Sequence, residues 1–239
     1  QLIFLAFIGA ILVLIPGAPF LVSSAETKQA ETSTTLEIEQ ATLTRHEQRV
    51  RNAAVKVVLM DGMGHGSGTY TIGDGCHVIL TAAHVVEDQE EMRVLGTMGE
   101  SVVGKVIYRD ANYDFAVLLV PEMSTRTPMR FSPTRKTMSS LVGDDVTYTG
   151  FPSGHGLMTI RGEVAGVDGR RALLIHSYAW MGASGSGVYD LNGRLIGILV
   201  AVDVGRFYHP QIVEDIVWIV PITEIDIEAM RRAISQSLN

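Results

Sequence analysis

Between Ala53 and Val220 the sequence repeats one pattern, in which short runs rich in Val, Ile, Leu and Tyr are bounded by glycine and other turn-forming residues. Runs of this length and composition are typical of β-strands, and the frequent glycines allow tight turns between them. The first set of runs lies at 53–60, 67–72, 77–80, 92–96, 101–108 and 115–120. The second set follows a turn-rich stretch at 121–138 and lies at 145–150, 157–167, 171–176, 186–190, 194–202 and 216–220. Six strands are enough to close a small barrel, so the sequence predicts an all-β fold with one barrel over about 50–120 and another over about 140–221.

The end of the chain has a different periodicity. Ile227, Met230, Ile234 and Leu238 recur at the spacing of one helix face. The sequence therefore predicts a terminal helix over 222–238, with Thr223 as a candidate N-cap.

The first 25 residues contain an uncharged segment, 2–22, that is long enough as a helix to cross the hydrocarbon core of a bilayer. Small residues at 23–25, after Pro16 and Pro19, fit the end of a cleaved signal peptide, while the apolar length fits a retained membrane anchor. Both alternatives stay open, and both predict that the remainder of the chain is exported.

A polar segment follows at 26–49, rich in Thr, Glu, Gln and Ser and lacking Gly and Pro. We interpret it as a solvated spacer, although the helix-forming residues at 37–51 leave a helix open as the alternative. The spacer would lead into a domain over 50–239.

Composition excludes several classes of function. The formal net charge is −7, and no basic cluster is longer than a pair, so we do not expect nucleic acid as a partner. The single cysteine, Cys76, cannot form an internal disulfide and is expected to be a buried apolar residue. Cys76 and His77 are adjacent and would face opposite sides of a strand, and no second ligand pair occurs at a suitable spacing. The sequence therefore predicts neither a metal site nor a cofactor.

Three residues have the chemical types needed for nucleophilic catalysis. His84 follows an apolar strand in TAAHVV, Asp114 precedes one in NYDFAVLLV, and Ser184 lies among glycines in GASGSG. A serine hydroxyl needs a base to take its proton, and that base needs an orienting partner. The backbone N–H groups of Gly182 and Ser184 are candidates for an oxyanion hole, because glycine removes a side chain from the approach.

Other residues offer competing assignments. Ser186 is a rival nucleophile, but it would begin the next strand. Asp144 and Asp145 compete with Asp114, but their VGDD context favours a turn. We therefore prefer His84, Asp114 and Ser184.

These residues, in this order, resemble the triad of trypsin-like (chymotrypsin-fold) serine peptidases, and most resemble the bacterial HtrA-type and glutamyl-endopeptidase-like branch. The likeness extends to GHGSGTYTIGDGCHVILTAAHVV, GKVIYRDANYDFAVLLV, VGDDVTYTGFPSG, GASGSGVYDLNGRLIGILVA and VWIVP, and so covers roughly residues 50–238. The resemblance implies two six-stranded antiparallel β-barrels in a chymotrypsin-like arrangement, with the site between them. It also implies a serine endopeptidase that acts on protein or peptide substrates through an acyl-enzyme.

The sequence departs from the family pattern at several positions. Ala183 stands where digestive trypsins carry the aspartate that pairs with a new N-terminus, so we do not expect activation by that cleavage. Ser186 and Gly187 replace the more common Gly and Pro. Little chain follows the terminal helix, so no peptide-binding PDZ module is expected. HtrA-type relatives also leave a homo-oligomer open.

Substrate preference should depend on the strand after the serine loop, where Leu199, Val200 and Ala201 would form one wall of the primary pocket. Met181, just before the oxyanion loop, is a further candidate contact. No carboxylate occurs at 176–181, so we expect a medium-sized apolar residue before the scissile bond, unless Asp203 turns inward. The alternative function is a trypsin-like domain without catalysis that acts as a membrane-tethered binding or scaffold module.

Overall fold

The computed structural model describes residues 43–73, 75–169, 172–206 and 210–238. The signal or anchor segment at 1–25, and the spacer as far as residue 42, lie outside the described residues. Among the helices that are described, none combines the length and the apolar character needed to span a membrane.

The described part is built mainly from β-strands. They are β1 (Ala54–Val58), β2 (His65–Gly73), β3 (Cys76–Thr81), β4 (Glu91–Leu95), β5 (Ser101–Asp110), β6 (Phe115–Leu119), β7 (Met129–Arg130), β8 (Asp145–Gly150), β9 (Met158–Asp168), β10 (Ala172–His176), β11 (Gly187–Asp190), β12 (Leu195–Arg206) and β13 (Pro210–Pro221). The helices are α1 (Arg45–Ala53), α2 (Ala83–Val86), α3 (Met138–Leu141) and α4 (Ile227–Gln236), with 3-10 turns at Pro152–Gly154 and Ile222–Glu224.

The strands form two closed barrels, as the sequence predicts. In barrel one the order is β1-β4-β5-β6-β3-β2, and pairing of β1 with β2 closes the ring. In barrel two the order is β10-β13-β12-β11-β8-β9. All pairings inside the two rings are antiparallel. The short strand β7, which the sequence pattern did not indicate, adds to β2 in parallel.

Successive side chains along a strand point to opposite sides. One set fills the interior of each barrel, and the other set includes apolar residues that form a layer shared by the two barrels. In β3, Ile79 packs inside barrel one, while Val78 and Leu80 point the other way. The cluster around Val78 and Leu80 also contains Ile198 and Val220 of barrel two. The two barrels are therefore joined by packed apolar side chains, which fixes the relative position of loops at their junction.

Residues 45–49 lie in helix α1, so at these positions the structure has the helix that the sequence left open as the alternative to a solvated spacer. Thr44 is its N-cap and forms a capping box with Glu47, in which each side chain accepts the other residue's backbone N–H. Glu47 is almost fully buried and is paired with Arg161 of β9. The helix is thereby bound to barrel two, and its apolar residue Val50 joins the shared apolar cluster.

Helix α4 is shorter than the predicted 222–238. It begins at Ile227, and Asp226 is its N-cap, with Oδ1 accepting the N–H of Ala229 at 2.8 Å. Thr223, the expected cap, lies in the preceding 3-10 turn. Met230 and Ile234 are buried as expected, whereas Leu238 lies beyond the helix and is exposed.

Candidate active site

His84 and Asp114 meet because β3 and β6 are antiparallel neighbours. Thr81, the last residue of β3, lies opposite Ala116 near the start of β6. His84 follows β3 in the short helix α2, and Asp114 immediately precedes β6, so both lie at the same end of this strand pair. The buried small residues Ala82 and Ala83 let the chain turn closely around the barrel end.

The two side chains form a doubly connected pair. His84 Nδ1 lies 2.6 Å from Asp114 Oδ2, and the His84 backbone N–H donates to Oδ1 at 2.8 Å. Burial of Asp114 disfavours its ionised form, but hydrogen bonds from the His84 ring and from the backbone of His84 and Ala83 hold the pKa of the Asp114 carboxyl below its usual value. An ionised Asp114 accepts a hydrogen bond from a protonated Nδ1, which leaves Nε2 of a neutral His84 as the basic nitrogen.

Asp114 adopts a left-handed backbone conformation, with φ of 47°. Aspartate tolerates this region better than most non-glycine residues. The conformation places the carboxylate at the rim of barrel one, where His84 remains accessible with about 48% of its side chain exposed.

The loop that carries Ser184 packs on the same end of barrel one. The Ser67 backbone N–H of β2 donates to the Ser184 carbonyl at 2.7 Å. A Cβ built at Gly185 would lie within 3.0 Å of both the Ser67 carbonyl and Thr81 Oγ1, so only glycine fits there. Because Thr81 ends β3, the loop contacts the strand end from which His84 emerges. The fold thus gathers the three predicted residues around one junction of the barrels.

The residues before Ser184 form a turn suited to binding an anion. The Ala183 N–H donates to the Trp180 carbonyl at 2.9 Å, and Gly182 has φ of 95°, which together are typical of a type II turn. Within the described part of the chain, the N–H groups of Gly182 and Ser184 have no protein acceptor. Both predicted oxyanion donors are therefore available to a ligand.

Ser67 stabilises this turn from the other barrel. Its hydroxyl donates to the Gly182 carbonyl at 2.7 Å and accepts the N–H of Phe151 at 2.9 Å. Its carbonyl accepts the Thr81 hydroxyl at 2.7 Å. Ser67 was not among the residues predicted from the sequence; its position between Gly66 and Gly68 was the available signal.

The Ser184 hydroxyl itself points toward barrel two. Its Oγ donates to the Val200 carbonyl at 3.4 Å, a long and therefore weak hydrogen bond. Among the described residues there is no hydrogen bond between Ser184 and the ring of His84.

The competing residues occupy other positions. Ser186 is fully buried, and its Oγ donates to the Ala183 carbonyl at 2.7 Å, so it is inaccessible to a substrate. Asp144 pairs with Lys136 Nζ at 2.6 Å, and Asp145 is exposed at the start of β8. Asp114 is the carboxylate that contacts His84.

The predicted pocket residues divide into two groups. Val200 lies at an irregularity of the β12–β13 ladder and is half-buried, Ala201 is exposed, and Met181 is 74% exposed. Leu199 corrects the prediction, because it is 1% exposed and packs in the core of barrel two. Alternation along β12 turns its side chain inward, so that its carbonyl, which accepts the Gly185 N–H at 2.7 Å, is the part facing the serine loop.

Known proteins resemble this chain in sequence and in fold. A family model described as a trypsin-like peptidase domain matches residues 66–198, a range that includes His84, Asp114 and Ser184. A probable periplasmic serine endoprotease DegP-like of Rhizobium meliloti is 29% identical over 145 residues, which are 57% of this chain and 28% of that protein. A serine protease HtrA-like of Staphylococcus aureus is 26% identical over 183 residues, which are 69% of this chain and 23% of that protein. The chain thus matches less than a third of the length of either relative.

Solved structures share the fold. The serine endoprotease from Yersinia pestis superposes with a TM-score of 0.64 at 23% identity, covering 82% of this chain and 69% of that chain. An inactive form of Rv3671c from Mycobacterium tuberculosis, carrying a serine-to-alanine substitution, superposes with a TM-score of 0.61 at 17% identity, covering 78% of this chain and 89% of that chain.

Proposed function

The chain belongs to the trypsin-like peptidase family, and from that premise we propose that it is a serine endopeptidase that hydrolyses peptide bonds of protein substrates through His84, Asp114 and Ser184. The observation that carries the proposal is the doubly connected pair of His84 and Asp114, at the strand end on which the Ser184 loop packs. A histidine oriented by a carboxylate beside an accessible serine is the arrangement that nucleophilic catalysis requires.

In the proposed reaction, His84 Nε2 takes the proton of the Ser184 hydroxyl as Oγ attacks the carbonyl carbon of the scissile bond. Asp114 holds the ring in the correct tautomer and stabilises the imidazolium that forms. His84 then gives its proton to the leaving amine, which departs as the acyl-enzyme forms. A water molecule, deprotonated by His84, hydrolyses the ester and restores Ser184.

The negative oxygen that develops in both steps would be bound by the N–H groups of Gly182 and Ser184. Their lack of protein acceptors among the described residues supports this role. Donors fixed before the reaction stabilise the developing charge without reorganising, and removal of one such donor typically costs about 10²–10³ in turnover.

The Ser184 hydroxyl must rotate for this chemistry, because it donates to the Val200 carbonyl at 3.4 Å. A long, single hydrogen bond is easily exchanged, so rotation about χ1 is a small step. The same contact favours the second candidate function, a trypsin-like domain that does not cleave and serves as a binding or scaffold module. Activity measurements separate the two functions.

For substrate recognition we propose Val200, Ala201 and Met181, the accessible members of the predicted pocket. Their side chains are apolar, which supports a medium-sized apolar residue before the scissile bond. Leu199 contributes only through its backbone. An exported location, by signal peptide or by membrane anchor, and a homo-oligomer remain part of the proposal; two relatives are named as probable periplasmic proteases.

The test is a digest of an unbiased peptide library by the wild type, by Ser184→Ala and by Ser186→Ala. We expect the wild type to cleave after medium-sized apolar residues, and Ser184→Ala to lose roughly six orders of magnitude in turnover, because members of a triad act as a unit. Ser186→Ala is the matched control and should keep most of the activity, because the Ala183 carbonyl that accepts from Ser186 Oγ also accepts the backbone N–H of Ser186 at 3.1 Å. Absence of cleavage by the folded wild type would favour the binding module.

A further inference from the structure

A polar cavity of about 600 Å³ lies at the far end of the hairpin that carries the serine loop. Strand β11 runs from this loop to a turn at 190–194, and β12 returns toward Val200. The turn and the segment 134–136 enclose the cavity, which is lined by Thr134, Arg135, Lys136, Asp190, Asn192 and Arg194.

The positive charge in this cavity is not compensated by the carboxylates beside it. Within the described part of the chain, the guanidinium groups of Arg135 and Arg194 have no hydrogen-bond or ion-pair partner. Lys136 is paired with Asp144 at 2.6 Å. Asp190 is 5% exposed, and its Oδ1 accepts the N–H groups of Asn192 and Arg194, so this carboxylate is held within the turn. These two unpaired guanidinium groups form a locally positive region on a chain whose net charge is −7.

Helix α1 adds further groups at the same turn. A Cβ built at Gly193 would lie 3.8 Å from a guanidinium nitrogen of Arg49 and 3.4 Å from His46 Nδ1. His46 is buried, and neither ring nitrogen has a hydrogen-bond partner among the described residues. Burial, and then the charge of Arg49, lowers the pKa of His46. His46 does not line the cavity and its ring nitrogens are buried, so the group by which helix α1 adds positive charge at this turn is Arg49.

We propose that the cavity is a binding site for a phosphate group, either as free inorganic phosphate or as the phosphomonoester headgroup of a lipid. The planar guanidinium groups of Arg135 and Arg194 would each bind two phosphate oxygens, a geometry that an ammonium group does not provide. Thr134 and Asn192 add uncharged polar side chains to the lining. Arg49 contributes its charge from helix α1.

Calorimetric titration of the full chain tests the proposal. The titration uses Ser184→Ala, so that its outcome does not depend on peptidase activity and so that self-cleavage cannot interfere. Inorganic phosphate and glycerol phosphate, the soluble headgroup, are titrated separately at constant ionic strength, with acetate as a third anion. We expect saturable binding of at least one phosphate compound and much weaker binding of acetate. Preference for glycerol phosphate over inorganic phosphate indicates a lipid headgroup, and the reverse indicates free phosphate.

Substitutions separate a built site from general attraction of anions. In Arg135→Ala/Arg194→Ala we expect binding to weaken by about tenfold or more. Arg135→Lys/Arg194→Lys keeps the charge and should still weaken binding, because the paired hydrogen bonds are lost. Lys105→Ala/Arg232→Ala removes two exposed positive charges elsewhere and should change nothing. Absence of saturable phosphate binding, acetate binding as tight as phosphate, or equal weakening in the Lys105/Arg232 control would overturn the proposal.

Discussion

The hydroxyl of Ser67 in barrel one donates a 2.7 Å hydrogen bond to the carbonyl of Gly182 in barrel two. Ser67 is fully buried, so no water competes for this bond. The Gly182 carbonyl is part of the peptide bond between Gly182 and Ala183. The hydrogen bond therefore fixes the turn next to the proposed oxyanion donors, the N–H groups of Gly182 and Ser184. Ser67 is therefore a positioning residue that links barrel packing to the site.

Replacement of Ser67 by alanine should lower kcat while KM changes little. The substitution leaves the Gly182 carbonyl and the Phe151 N–H unsatisfied, so the turn loses the interaction that orients it. We expect a decrease in kcat of about 10- to 100-fold, less than the loss of a direct oxyanion donor. Steady-state kinetics on a peptide substrate measure both constants. Ser177→Ala, which removes another buried hydroxyl that donates to a carbonyl, is the control and should leave kcat unchanged.

Replacement of Asp114 by asparagine should lower kcat by about 10⁴, because an amide group opposite Nδ1 favours the wrong tautomer of His84. Asparagine tolerates the left-handed backbone of this position, so the fold should persist. Kinetics and thermal unfolding of the same preparation separate the two effects. Asp145→Asn removes an exposed carboxylate and should leave kcat unchanged. Equal losses of activity in the two variants would argue against a specific role of Asp114.

The ion pair of Glu47 with Arg161 should make stability depend on pH. The hydrogen bond from the Arg161 guanidinium, opposed by burial, lowers the pKa of Glu47 from 4.5 to about 2. Because the pKa of Glu47 is lower in the folded state than in the unfolded state, the ionised side chain stabilises the fold at pH values above 4.5. This contribution disappears as the pH falls from 4.5 toward 2. We expect this contribution to the free energy of unfolding to be about 2 kcal/mol, a value that already allows for the weakening of the ion pair by the solvent exposure of Arg161.

Denaturant unfolding of the wild type and of Glu47→Gln, between pH 7 and pH 2, measures this contribution. The difference between the two free energies of unfolding should be largest at neutral pH and should shrink on acidification. A difference that stays constant over this range would contradict the assigned role of Glu47.

Substitution of Gly185 by alanine should destabilise the domain much more than the same substitution at Gly75. Both glycines have positive φ, 91° and 80°, so both variants incur the backbone cost of about 1–2 kcal/mol. A Cβ at Gly185 also collides with Ser67 and Thr81, whereas a Cβ at Gly75 meets nothing within 4 Å. Thermal unfolding of the two variants compares them directly. Similar losses would mean that the serine loop is not packed tightly on the end of β3.

The barrels could be predicted from the sequence because strand formation depends on local pattern. Each of the twelve glycine-bounded runs corresponds to a strand. The bounds of the longest hairpin were less accurate: β12 continues to Arg206 and β13 begins at Pro210, beyond the apolar runs. The exposed residues Val204 and Ile212 lie opposite each other there, so this part of the hairpin depends on pairing of the two strands and not on burial.

Features that depend on long-range contacts were missed. Residues 45–49 are polar enough to resemble a spacer, although a helix was left open as the alternative; the burial of Glu47 depends on its pairing with the distant Arg161, which local pattern does not encode. His84 and Asp114 were predictable from residue type and context. The supporting role of Ser67 was not, because it arises from contact with residues more than 80 positions away.

The most direct test of the proposed function is covalent labelling of the folded full chain with a fluorophosphonate, followed by intact mass measurement and peptide mapping. The proposed mechanism predicts one adduct per chain, located on Ser184, and loss of that adduct in His84→Ala. A folded wild type that remains unlabelled at Ser184, or that is labelled at a different serine, would contradict it.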